Sequence, residues 1–219
     1  MATTNAIDNK SSELTIDPGA SGDSFVQFDI NTTGEFRMGV DDTDDSFRIS
    51  QGSALGTSDT FVMTADGERT MPLQPAFYAN LGTDDANVTG DGTTYTVGSG
   101  NALTEVYDQS SDFNTNGTFT ASVTGRYYLM VSIQIQSITT TAFDSLFFQI
   151  VTSNRTHTSL VCDPSTFRRS SNLIATFSSF CDMDASDVAT TTGTVSGSTL
   201  TVGINSGATR TYFSGYLVC

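Results

Sequence analysis

Between Val26 and Met63 the chain repeats one short pattern: Val26, Phe28 and Ile30, then Phe36, Met38 and Val40, then Phe47 and Ile49, then Phe61 and Met63. Polar or small residues, among them Gln27, Asp29, Glu35, Arg37, Arg48 and Thr60, stand between or beside these apolar ones. A period of two sends successive side chains to opposite faces of an extended backbone, so each segment predicts a strand with one face to bury. Asn31-Thr32-Thr33-Gly34, Asp41 to Asp45 and Ala65-Asp66-Gly67 supply the residues that accept left-handed geometry or mimic a turn with their own side chains. Together they predict a small meander. A segment of this size buries too little apolar surface to stand comfortably alone, so it is expected to pack against copies of itself as a shaft or neck.

Pro72 and Pro75 stiffen the chain after this module and end ladder pairing, which places a connector at residues 72–76 between a first module at 1–71 and a second at 77–219. Strand-like runs then recur about every ten residues. The clearest alternates Tyr127, Leu129, Val131, Ile133 and Ile135 with Tyr128, Met130, Ser132 and Gln134. Others are Phe119, Ala121 and Val123; Leu146, Phe148 and Ile150; Leu173, Ala175 and Phe177; Leu200, Val202 and Ile204; and Phe213, Gly215 and Leu217. Many short strands without a helical stripe between them predict an all-β sandwich or barrel.

Several of these strands are apolar on both faces. Tyr128 and Met130 stand where polar residues would normally sit; Phe147 backs onto Phe148, and Tyr212 and Tyr216 back onto Phe213 and Leu217. A second apolar face meets another layer or another subunit, so Tyr128, Met130, Phe147, Tyr212 and Tyr216 are the candidate interface or core residues of an oligomer.

Charge narrows the partners. Lys+Arg 9 against Asp+Glu 24 gives a net charge of -15, which repels nucleic acid and anionic bilayers. The residues from Met1 to Leu14 have no signal-peptide core, and the longest apolar run, near Tyr127 to Val131, is far too short to span a membrane. Synthesis without Sec export and without membrane insertion is the expectation. Cys162, Cys181 and Cys219 have no Cys-x-x-Cys spacing; buried free thiols are expected, and a bridge between Cys162 and Cys181 stays open.

Two segments carry a family resemblance. Asn116-Gly117-Thr118-Phe119-Thr120-Ala121-Ser122-Val123-Thr124-Gly125-Arg126-Tyr127-Tyr128-Leu129 resembles the C1q-domain signature, a phenylalanine followed after five residues by Gly-x-Tyr. Thr211-Tyr212-Phe213-Ser214-Gly215-Tyr216-Leu217 resembles that family's closing strand, and Pro75-Ala76-Phe77-Tyr78-Ala79 its first. Phe119 and Tyr127 would face inward on adjacent strands, Gly125 would allow the turn between them, and Gly215 would admit a close neighbour. The resemblance spans about 75–219, departs in its irregular spacing upstream of Phe119, and lacks a Gly-X-Y stalk. It implies a ten-stranded C1q/TNF-like jelly roll packed as a compact homotrimer. Phe25-Val26-Gln27-Phe28-Asp29-Ile30, Met38-Gly39-Val40-Asp41 and Ala65 to Leu73 are similar to segments of tailed-phage fibres, implying a small β-rich shaft module below the head.

Enzymatic chemistry finds little footing. The single histidine, His157, falls in a polar stretch and reads as a surface side chain. Asp84, Asp85, Asp91, Glu105, Asp108 and Asp112 offer carboxylates for glycoside hydrolysis, but sequence spacing cannot pair them. Asp41 to Asp45 lack the mid-loop glycine and closing glutamate of an EF-hand; a calcium site at a subunit interface would draw on Asp84 and Asp85, or on Asp182 and Asp184. The combined expectation is a non-enzymatic virion surface protein, a short trimeric tail fibre of a bacteriophage. Its first module would meet other virion proteins, and its head loops a host-surface glycan or protein through Tyr95, Tyr107, Arg155, Arg168 and Arg169. Capsid decoration, a secreted C1q- or lectin-like bacterial binding module, and a glycan-cleaving enzyme are the alternatives, in that order.

Overall fold

The computed structural model describes residues 15–16, 18–19, 21–30, 35–138, 143–159, 163 and 171–219. The chain divides into two compact units, Met1–Leu73 and Gln74–Cys219.

The first unit is one five-stranded antiparallel meander: β1 (Ser24–Asp29), β2 (Glu35–Asp41), β3 (Ser46–Gln51), β4 (Asp59–Met63) and β5 (Arg69–Thr70), in that order across the sheet. Val26, Met38, Ile49 and Phe61 fall in one cross-strand row, with Phe28 and Phe36 on one side of it and Val40, Phe47 and Met63 on the other. All of these stand on one face, and none of them is fully buried. The opposite face carries the charged residues together with Phe25 and Val62, with the Arg37 guanidinium over the Phe25 ring, and its centre is covered. There Arg48, 14% exposed, pairs with Asp41 at 3.1 Å, Asp44 at 2.6 Å and the short-bonded Asp59. Asp59 also accepts from Ser50 and, at 3.0 Å, from the Gly56 N–H of the loop that carries the buried Leu55.

The second unit is a jelly roll. One layer runs β9 (Leu103–Asp108), β6 (Ala76–Leu81), β18 (Tyr212–Leu217), β12 (Gly125–Gln136), β15 (Leu173–Met183). The other runs β10 (Phe113–Asn114), β11 (Thr118–Thr120), β16 (Val188–Ser196), β13 (Ser145–Thr152), β14 (Thr156–Thr158). The first and last strands of the unit pair with each other, and apart from the β10–β11 and β13–β14 hairpins the chain passes repeatedly from layer to layer, which is the double Greek-key path of this fold. Three short strands, β7 (Asp85–Thr89), β8 (Thr94–Thr96) and β17 (Val202–Ile204), extend the ten. Pairing begins inside the stretch read as connector: Leu217 N–H donates to the Pro75 carbonyl at 2.9 Å, and Ala76 pairs with Tyr216.

Between the layers Phe77 stacks on Phe113 at 4.9 Å and on Phe119 at 4.7 Å and meets Phe213 edge-on at 5.0 Å. Fully burying a phenylalanine contributes about 1.5–3 kcal/mol, and offset or edge-on ring pairs add to it. Phe119 and Tyr127 do face inward, but they meet across the sandwich at 5.3 Å, one from each layer, rather than on adjacent strands. Gly125 is not the turn residue. It opens β12, and a Cβ there would lie 2.6 Å from Leu217 Cδ1 and 2.8 Å from the Cys219 carbonyl oxygen, so the closing strand demands glycine. Gly215 admits Leu129 and Phe77 as expected: a Cβ would meet them at 2.4 and 3.1 Å.

Candidate functional site

The β9-β6-β18-β12-β15 layer buries one face in the sandwich and turns the other outward. Along β12 the alternation is strict where it matters: Tyr127, Leu129, Val131, Ile133 and Ile135 are buried, while Tyr128 and Met130 point away from the core, half-covered by their neighbours. Register then assembles an outer aromatic face. Tyr128 sits between Phe180 of β15 and Tyr216 of β18, with ring centroids at 5.1 and 5.7 Å. Ser214 separates Met130 from Tyr78, and Tyr78 approaches Tyr212 at 5.2 Å and Tyr107 at 6.2 Å.

The phenols of Tyr128 and Tyr78 are already committed. Tyr128 Oη donates to Ser178 Oγ at 2.9 Å, and Tyr78 Oη donates to the Ala208 carbonyl. Burial, with smaller contributions from the Tyr212 and Tyr107 phenols beside it, pushes the Tyr78 phenol above its usual range. The carbon surface is not committed: Phe180 is 64% exposed, Tyr216 50% and Tyr107 51%. The rows through Tyr128, Met130 and Tyr212 contain only Ala, Ser, Thr, Asn, Met and aromatic side chains facing outward. In a chain of net charge -15, an uncharged face of this breadth is where two copies can meet without mutual repulsion.

Tyr128, Met130, Tyr212 and Tyr216 therefore share one surface. Phe147 does not: it lies on β13 of the other layer, pointing away from the core on the far side of the sandwich. Tyr78 and Phe180 complete the face and escape sequence reasoning. Alternation with Phe77, Ala79 and Cys181 marks them only as outward-facing; register is what places them beside Tyr128 and Tyr212.

The loop candidates scatter. Tyr95 is buried at 9% exposure on β8 and donates to Asp85, whose other oxygen takes the Asn101 N–H at 3.0 Å and Nδ2 at 2.7 Å; it is a structural knot and not a contact side chain. Tyr107 is a β9 residue and joins the aromatic face. Arg155 is exposed between β13 and β14 and pairs with Asp182 at 2.6 Å. Arg168 and Arg169 lie outside the described residues. Arg126, which was not among the binding candidates, stands opposite Asp182 in register and joins Arg155 and Phe180 in lining a pocket of about 330 Å³.

Of the carboxylates considered for catalysis or calcium, Asp84, Asp85, Asp91, Asp108 and Asp112 act as hydrogen-bond acceptors within loops and turns. Asp84 accepts the Ser206 N–H at 2.7 Å, which holds its carboxyl below the ordinary value; Asp91 accepts from Thr93, Asp108 from the Asp112 and Phe113 amides, and Asp112 from Ser122. Among the described residues the one group of three metal-competent side chains is Asp23, Asp41 and Asp42, and these bind Gly22, Arg48 and one another's backbone instead. His157 is not a surface loop residue. It sits on β14, half-buried, with Nδ1 2.8 Å from Ser179 Oγ, and no carboxylate among the described residues orients it. Cys181 is buried and its thiol is pushed up to about 11 by that burial, whereas Cys219 is exposed, against the expectation of buried thiols; Cys162 lies outside the described residues.

No protein-family model matches the chain, and no curated protein matches it. Among solved structures it is similar to the globular domain of zebrafish complement 1qA protein, at 17% identity over 67% of this chain and 98% of that one, with a TM-score of 0.44. It is also similar to murine APRIL, at 11% identity over 66% of this chain and 99% of that one, with a TM-score of 0.45. The strand order by itself defines an all-β protein whose larger unit is a two-layer jelly roll.

Proposed function

We propose that this chain is a non-enzymatic, self-associating surface protein: a homotrimer whose heads meet through the Tyr78, Tyr128, Phe180, Tyr212 and Tyr216 face. The observation that carries the reading is that face itself, aromatic, uncharged and half-exposed on a layer whose other side is a complete core. Burying such rings is the main source of stability in interfaces of this kind. The finer reading is a short tail fibre on a bacteriophage virion, with the first unit as shaft or attachment module and the head turned to the host surface. It is supported by the two-unit build and by the likeness of the first unit's segments to fibre segments. Arg126 and Arg155, at the border of that face, are the candidate ligand contacts, because arginine supplies the stacking and hydrogen bonds of binding hot spots.

The test is competition. Purified full-length chain added to host cells should reduce adsorption of the parent phage in a dose-dependent manner, and Arg126→Ala with Arg155→Ala should weaken the block. Adsorption unchanged at saturating protein contradicts the receptor-binding reading and favours a decoration of the particle.

A further inference from the structure

The meander of the first unit leaves its apolar face open and covers the centre of its charged one. Val26, Phe28, Phe36, Met38, Val40, Phe47, Ile49, Phe61 and Met63 occupy one face, and Phe28 is 54%, Phe36 43% and Met38 39% exposed. The ionisable residues of β1 to β4 stand on the other face, where Arg48 and its carboxylates are closed over by the loop through Leu55 and Gly56. A single-layer sheet leaving such a face in water is not independently stable.

We infer that this apolar face packs against the same face of the other copies of the chain, so that the first units form a sheet-walled assembly with Arg48 and its partners outside and Phe36, Met38 and Ile49 inside. The inference rests on the proposed trimer and adds to it the surface by which the shaft forms. Three observations select copies of this chain as the occupant. The face carries no charge, so like can meet like despite the net charge of -15. The segment 1–14 offers only Met1, Ile7 and Leu14 as large apolar side chains, too few to cover nine. Only residues 71–75 separate β5 from β6, and Pro75 already pairs with Leu217, so association of the heads holds the first units on tethers no longer than about 18 Å, an effective concentration in the millimolar range.

The experiment combines native mass by light scattering with hydrogen exchange of β1 to β4 in the full chain. Wild type should be trimeric with protected amides in these strands. Met38→Lys should keep the three-chain mass, held by the heads, while protection falls at least about tenfold. Met38→Leu, and Asp29→Lys on the opposite face, should keep both. Tyr128→Asp with Tyr216→Asp should yield a monomer that loses protection in the first unit as well. A three-chain wild type in which Met38→Lys leaves protection unchanged, or in which these strands are unprotected from the start, overturns this inference and leaves the head trimer standing. A monomeric wild type overturns the trimer itself. Loss of protection on Ile7→Ser with Leu14→Ser assigns the face to the segment 1–14 and also overturns the inference.

Discussion

Phe77 and Arg48 hold comparable positions, each within an antiparallel sheet and each largely withdrawn from water, yet one is ringed by Phe113, Phe119 and Phe213 and the other by Asp41, Asp44 and Asp59. The head has two layers and can close an apolar core between them. The first unit has one layer, and what it closes on itself is an ion cluster beneath a loop, while its apolar side chains stay on an open face. The two units thus meet the same burial problem differently: the head closes its apolar core within the monomer, whereas the first unit leaves its apolar face open, and the inferred assembly would cover it. Both nevertheless present an uncharged outer face, aromatic in the head and mixed aromatic and aliphatic in the first unit.

Breaking the head's core gives the largest expected effect. Phe77→Ala removes a ring packed against three others and should lower head stability by about 3–5 kcal/mol in urea unfolding, with exchange in β1 to β4 affected only through loss of the trimer. Arg48→Ala attacks the opposite unit. It leaves Asp41 and Asp59, both 8% exposed, without their cation, and should destabilise the first unit by about 3 kcal/mol while the head's unfolding midpoint stays in place.

A smaller effect sharpens the picture of the head's polar interior. Tyr95→Phe removes the phenol that Asp85 holds and should cost about 1–2 kcal/mol. Burial, and then the hydrogen bond to Asp85, push that phenol up to about 12 from an ordinary 10.0. A folded value raised above the unfolded one means that the stabilisation is complete below pH 10.0 and is lost as pH climbs towards 12. The denaturation midpoint of wild type should fall across that window, and that of Tyr95→Phe should fall less. The smallest change is expected from Arg155→Ala: its ion pair with Asp182 joins two side chains each 57% exposed, so stability should move by less than about 1 kcal/mol, which keeps the variant usable for adsorption.

The strands were legible because a period of two survives in any half-buried sheet, and the runs around Val26, Phe36, Phe47, Leu129 and Phe148 all lie in strands. Which layer a strand joins is set by pairing over long separations, and alternation carries no record of it. Hence Phe147, two-faced like Tyr128, falls on the other layer, and Phe119 meets Tyr127 across the sandwich. Tyr95 shows a different limit: Gly, Thr and Asp around it read as an exposed loop, and only the fold reveals that the loop's carboxylate, Asp85, is buried with it. Within the aromatic face Tyr128, Met130, Tyr212 and Tyr216 were readable from apolar residues in polar places. Tyr78 and Phe180 needed register, since each lies beside its partners only once β6 and β15 are placed.

The measurement that bears most directly on the central claim is the native mass of the full chain by light scattering, for wild type and for Tyr128→Asp with Tyr216→Asp. Wild type should run near 70 kDa, about three times the chain mass of 23.2 kDa, and the double variant near one chain mass with its β-sheet circular dichroism intact. A monomeric wild type, or a double variant that stays trimeric, would contradict the assignment of the aromatic face as the surface on which this protein assembles.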